Sequence, residues 1–472
     1  MSDGNKKLGL FSLMALVVGS MIGGGIFNLA TDMAAGAGSV AIMVGWVITG
    51  IGMISLGLCF QNLNMKRSDL DGGVYSYAKA GFGDFMGFNS AWGYWVSAFL
   101  GNVAYATLLF SSLGYFFPIF EGGQTVEAII GASILLWGVH FLILRGVHSA
   151  AILNLITTIA KLIPVLVFVI IVIFAFKVDI FTSSFWGDAG SFSWSAVADQ
   201  VKNTMLVTVW VFIGIEGAVV FSSRAKNRED VGKATILGLV GTLIIYALIS
   251  LLSLGAMQQA ELAALESPSM AYLMEHMVGK WGAVLINIGL IISVSGAWLG
   301  WTLLASEIPY IGAKDGVFPK WFGEENKNKA PKNALWVTNG FIQLFILTFL
   351  FTESAYNLMF SLASSAILIP YAFSAFYQYK YTLNTNDPDR VKNLVVGIIA
   401  SIYSIWLVYA AGLDYLLLTV VLFAIGIPVF YIIQKEQNKE KIFTKVELGI
   451  AIAFVVLAVW AVYELVTGGI AL

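Results

Sequence analysis

The sequence predicts an all-α integral membrane protein of about thirteen transmembrane helices, with the first and sixth broken, and three observations carry that prediction. Of 472 residues, 58% are hydrophobic and 11% charged, with a mean hydropathy of +0.84, far too little polar surface to coat a soluble globule. Apolar runs recur along the whole chain at the length of about 20 residues that crosses about 30 Å of hydrocarbon. Two of these runs, five spans apart, carry glycines at their centres.

The first run, residues 10–30, holds Gly19, Ser20, Gly23, Gly24 and Gly25 in mid-span. Glycine loses the most backbone entropy in a helix and leaves its peptide groups bare, so consecutive glycines invite the helix to unwind. Unwound backbone survives at membrane depth only where it is buried in protein or lines a water-filled cavity, so this stretch predicts the working site. Spans 2 to 5 follow at 39–62, 84–112, 125–144 and 150–176. Between the second and third, residues 69–85 are glycine-rich, amphipathic and too polar to span, which reads as a short inner-side helix or a re-entrant piece. The segment 179–200, with Asp179, Asp188, Asp199, Trp186 and Trp194, reads as an interfacial cap or an ordinary external loop.

Span 6, residues 203–222, repeats the pattern of span 1, with Gly214-Ile215-Glu216-Gly217 at the place of the glycine triplet. Spans 7 to 10 lie at 234–256, 282–311, 335–352 and 355–376, and three more at 393–411, 415–434 and 447–468. Two matched interruptions predict two inverted five-helix repeats, 10–176 and 203–376, with 393–468 peripheral, all in a single domain 1–472. Glycines that merely permit close helix packing are the competing explanation for either stretch alone.

With the N-terminus placed in the cytoplasm, every Lys and Arg outside the spans falls on the inner side except Lys177, Lys202 and Lys280. That asymmetry sets the orientation, and an odd number of spans leaves the C-terminus outside. A formal net charge of -2 without a basic, aromatic-interleaved tract gives no sign of nucleic acid binding. Cys59, the one cysteine, excludes an internal disulfide framework. His140, His148 and His276 are scattered without metal-ligand spacing, and Cys59 has no catalytic neighbour, so the chain does not read as an enzyme. No filter-like repeat suggests a channel.

Four stretches together resemble the amino acid-polyamine-organocation transporters: Gly-Ser-Met-Ile-Gly-Gly-Gly-Ile-Phe at 19–27, Trp210 to Glu216, Tyr-Trp-Val-Ser-Ala-Phe-Leu-Gly-Asn at 94–102, and Gly-Trp-Thr-Leu-Leu-Ala at 300–305 followed by Ala-Lys-Asp-Gly-Val-Phe-Pro. Within that superfamily the chain looks like the basic amino acid/polyamine antiporters, closest to bacterial arginine/ornithine antiporters. The resemblance implies a LeuT-like five-plus-five inverted-repeat fold in a bacterial cytoplasmic membrane. It also implies sodium-independent exchange of arginine for ornithine, or of another amino acid for its decarboxylation product. Proton-coupled amino acid symport is the alternative on the same fold. The partners expected are amino acids, the lipid bilayer and, in assembly, a second copy of the chain; no cofactor or metal is expected.

An amino acid brings a carboxylate and an ammonium that need partners away from water. Free N–H groups of the half-helix after Gly25 suit the carboxylate, and carbonyls around Ser20, Met21 and Ile22 and near Trp210 and Ile213 suit the ammonium. The resemblance places Ser20 and Gly24 at those contacts, with Gly23 and Gly25 beside them as further candidates. A distal cation wants aromatic faces, and Trp301 and Trp210 are candidates for cation–π stacking. By the same resemblance Trp210, Trp301 and Tyr94 stack on substrate or gate the site, Trp210 being a gating candidate, and Asn102 with Ser364 or Ser365 supplies hydrogen bonds. Glu216 is a carboxylate inside the span 6 break; the resemblance, through acid-resistance relatives, implies a gating role for it, with a simple tie between two helices as the alternative. Lys161, in mid-span 5, is expected to hold its ammonium where sodium-coupled relatives bind an ion, with a protonation switch as the alternative. Glu307, in the inner half of span 8, is a third intramembrane charge without a nameable partner.

Overall fold

The computed structural model describes residues 9–70, 73–146, 150–187, 190–216, 226–352, 354–386 and 388–470, and the side chains of 12, 16, 150–160 and 228 are left out of the description. The helices that carry the argument, in chain order, are α1 (Leu10–Met21), α2 (Leu29–Gly36), α3 (Ser39–Lys66), α4 (Val74–Phe82), α5 (Asp84–Gly114), α6 (Val126–Leu144), α7 (Ala150–Ala175) and α8 (Trp194–Phe212). They continue with α9 (Arg228–Ala256), α10 (Lys280–Lys314), α11 (Lys332–Leu347), α12 (Ala355–Leu383), α13 (Arg390–Ala410), α14 (Leu413–Glu436) and α15 (Lys445–Thr467). Among the described residues, ten helices are long and apolar enough to cross a membrane. The exact count of thirteen is not among what the structure establishes, because span 1 is divided and part of span 6 lies outside the described residues.

Span 1 breaks where its glycines stand. α1 ends at Met21, Gly23 is non-helical, and a tight 3-10 turn over Gly24–Phe27 leads into α2. The polar segment after α3 contains the short α4, whose non-spanning character follows from its polarity. The helix that carries span 6 begins at Trp194, before the apolar run, where Ser193 caps it by accepting from Ala196 N–H. Hydropathy overlooks that first stretch since Asp199, Lys202 and Asn203 are polar although helical.

The chain forms two compact units, one of Met1–Gly73, Thr158–Ser293 and Ser374–Ala410, the other of Val74–Thr157, Val294–Phe373 and Ala411–Leu472. In the first, α9 packs on α1, α2 and α3, while α3 also meets α8 and α13. Small residues allow this: a methyl added at Gly52 would stand 2.1 Å from the Tyr403 ring, and one at Gly45 2.8 Å from Thr204 Oγ1.

In the second unit α5 is the central post, packing on α4, α6, α11 and α14, and its apolar residues are buried nearly throughout. Trp95, on α5, is buried within edge-on contact of Trp92, Phe99, Phe318, Phe322 and Phe341, and its indole N–H donates to Thr338 Oγ1 at 2.9 Å. Helix α12 reaches α5 through a proline effect. Pro370 has no N–H to give the Ala366 carbonyl four residues back, and that freed oxygen would lie 2.7 Å from a methyl placed on Gly93 of α5.

Candidate substrate site

Within the first unit the two interruptions meet. Ile213 ends α8 with non-helical backbone, and Gly214 follows at φ +107, a conformation that glycine alone adopts without strain. A methyl there would also stand 2.8 Å from the Ser20 carbonyl oxygen. Ser20 Oγ donates across to the Gly214 carbonyl at 2.9 Å and lies 2.8 Å from the Val17 carbonyl. Glu216, buried, accepts from Gly214 N–H at 3.2 Å through Oε2, so the carboxylate occupies the break itself.

Gly24 and Gly25 open the 3-10 turn, and the first N–H groups of a helical turn have no acceptor inside it. They are buried together with Met21, Ile22 and Gly23. The Trp210 indole covers this turn so closely that a methyl on Gly25 would stand 2.5 Å from its Nε1. The triplet therefore does two things: it unwinds the helix, and it makes room for an aromatic ring.

Lys161 is buried, and its ammonium donates to the Gly19 carbonyl at 2.6 Å. This contact ties α7 to the end of α1, and it satisfies a carbonyl freed by the break. From α9, the hydroxyl of buried Tyr246 lies 2.8 Å from the Met21 carbonyl and 2.8 Å from the Val211 carbonyl. Sequence reading missed Tyr246, because one tyrosine among 18 in an apolar run carries no signal. It also missed Asp32 in α2, a carboxylate whose buried Oδ2 has no hydrogen-bond partner among the described residues. Extending the first span past residue 30 would have found it.

The second unit holds Tyr94 and Asn102 on α5, Trp301 on α10, and Ser364 and Ser365 on α12. Tyr94, Asn102 and both serines are buried, whereas Trp301 is half-buried. Both amide atoms of Asn102 and the hydroxyls of Ser364 and Ser365 lack a hydrogen-bond partner among the described residues. Buried polar groups without partners are rare, and their usual explanation is a ligand, ion or water that completes them. Glu307 is half-buried on α10, and Lys314 and Glu325 are the charges it feels. His140 is buried near the C-terminal end of α6, its Nδ1 3.0 Å from Asn339 Nδ2 and its ring 4.3 Å from that of Trp336. His148 and Gly217 lie outside the described residues.

A profile of the amino acid permease family matches residues 8–452. The chain is 52% identical to an arginine/ornithine antiporter of Pseudomonas aeruginosa, over 99% of this chain and 98% of that one. It is 44% identical to an arginine/agmatine antiporter of Chlamydia caviae (97% and 96% covered) and to an arginine/ornithine antiporter of Latilactobacillus sakei (98% and 98%). Its fold is similar to that of a Na+-coupled sialic acid symporter solved in a substrate-bound outward-open state, with a TM-score of 0.53 at 13% identity over 86% of this chain and 90% of that one. Interrupted helices at the expected glycines, the helical membrane fold and the match over most of its length together establish that the chain belongs to the amino acid permease family of the amino acid-polyamine-organocation superfamily.

Proposed function

We propose that the protein is a secondary active antiporter that brings external arginine into the cell in exchange for internal ornithine by alternating access, without sodium. The observation that carries this reading is the 52% identity, over nearly the whole of both chains, to an arginine/ornithine antiporter. Bound amino acid would place its carboxylate on the N–H groups of Gly24 and Gly25 and its ammonium among the carbonyls of the α1 and α8 ends. The distal guanidinium or ammonium would stack on Trp301, with Tyr94, Asn102, Ser364 and Ser365 as further contacts. Support for the polar contacts comes from their unfilled hydrogen-bonding capacity. Glu216 is assigned to gating.

Sodium independence is supported by Lys161, whose ammonium already donates to a carbonyl of the first break, a place a bound cation could otherwise take. Positive charge on the inner loops supports a cytoplasmic N-terminus and residence in the bacterial inner membrane. A homodimer and the two inverted repeats, 10–176 and 203–376, belong to the same proposal.

The test is radiolabelled arginine uptake into proteoliposomes, empty or preloaded with ornithine, with and without sodium. Uptake that requires internal ornithine and ignores sodium is expected. Equal uptake into empty vesicles would overturn the exchange reading. Since another relative is an arginine/agmatine antiporter, agmatine-loaded vesicles form the parallel arm, and faster exchange there would replace ornithine as the counter-substrate.

A further inference from the structure

Tyr246 stands between the ends of α1 and α8. We propose that it is a positioning residue for transport, its single hydroxyl tying the end of α1 to the end of α8 so that the two interruptions move as one body. The transport part of this inference rests on the antiport reading; the structural part does not.

The geometry is specific. Tyr246 is buried without exposure in α9, and its oxygen is 2.8 Å from both the Met21 and the Val211 carbonyls. Met21 is the last residue of α1 and Val211 the second-last of α8, so both carbonyls lie in final turns, where the helix leaves acceptors without partners and its dipole is negative. Met21 O also receives Gly23 N–H at 2.8 Å. A phenol has one proton, so it donates to one carbonyl at a time, and the two ends can share it only while they remain side by side.

The ring is held by α3 and by its own helix, and it also meets the last residue of α8. It stands 6.3 Å from Trp46 and 5.3 Å, edge-on, from Phe212. Trp46 N–H donates to Ser250 Oγ at 2.7 Å, and that hydroxyl donates back to the Tyr246 carbonyl at 2.9 Å. With α3 and α9 fixing the ring, the hydroxyl becomes a fixed post against which the ends of α1 and α8 are positioned. A substrate that binds the backbone of one interruption then has a mechanical route to the other, and a Ser20–Gly214 bond runs alongside it.

The experiment uses the full chain in nanodiscs and compares wild type with Tyr246→Phe, which keeps the ring and removes the hydroxyl. Amide hydrogen exchange is expected to rise about tenfold, the loss of roughly one hydrogen bond, at residues 22–26 and 213–216 together. Trp46→Phe, which disturbs the ring's support but keeps the hydroxyl, is expected to leave those two segments coupled. Exchange in ornithine-loaded proteoliposomes should lose turnover in Tyr246→Phe far more than arginine affinity. A rise confined to one segment, or none, overturns the proposal, as does unchanged turnover beside an active wild type. If wild type itself does not exchange arginine, the antiport reading fails while the hydrogen-exchange result still decides the tie. Should Tyr246→Phe not fold, exchange in wild type decides: correlated opening of the two segments is expected, and independent opening overturns it.

Discussion

At the scale of single residues, the charged and aromatic groups inside the membrane have distinct loads. Trp301 is half-buried and is assigned a cation; a desolvated cation–π contact is worth about 2 kcal/mol, so Trp301→Leu should weaken arginine binding by roughly thirtyfold in calorimetry on purified protein. An affinity within twofold of wild type would remove the stacking role. Lys161 carries a different burden, since its ammonium fills a carbonyl left open by a broken helix. Lys161→Ala should insert and purify normally yet abolish arginine/ornithine exchange, and wild-type exchange rates in proteoliposomes would take it out of the mechanism. Restoring partial activity with sodium in that variant would indicate that the ammonium stands in for a metal cation.

At the scale of elements, the interruptions are built from glycines whose reasons differ. Gly214 is required by its positive φ and by the Ser20 carbonyl beside it. A left-handed non-glycine residue costs about 1–2 kcal/mol before any clash is added, so Gly214→Ala should lower the melting temperature as well as exchange. Gly25 is required by the Trp210 indole. Gly25→Ala leaves backbone conformation permitted and moves the ring, so the expected outcome is loss of arginine binding with little change in melting temperature. A purely structural glycine would show the reverse, and the pair of melting curves and binding isotherms separates the two. The aromatic packing around Trp95 and the freed Ala366 carbonyl against Gly93 show the same economy in the second unit, where one proline and one glycine bring two helix backbones together.

At the scale of the whole molecule, orientation and exchange are the properties to test. Cys59 is fully buried, so wild-type protein should stay dark to impermeant maleimides from either side. A cysteine introduced at the exposed position of Lys329 should label only in inside-out vesicles. Labelling of right-side-out vesicles would invert the proposed topology.

Membrane residence, helical class, the two interruptions and the family were legible in the chain itself, because they rest on composition and on local backbone cost: apolar length, glycines in a row, and a short motif that survives as a string of letters. The helix that carries span 6 starts nine residues before its apolar run, since hydropathy sees polarity and not the Ser193 cap that starts the helix. What only the tertiary structure decided are contacts between residues far apart in the chain: the ammonium of Lys161 on Gly19, the indole of Trp210 over Gly25, and Tyr246 between the ends of α1 and α8. A glycine run states that backbone will be bare; which distant donor answers each bared carbonyl depends on how the helices pack, and packing is a property of the folded chain as a whole.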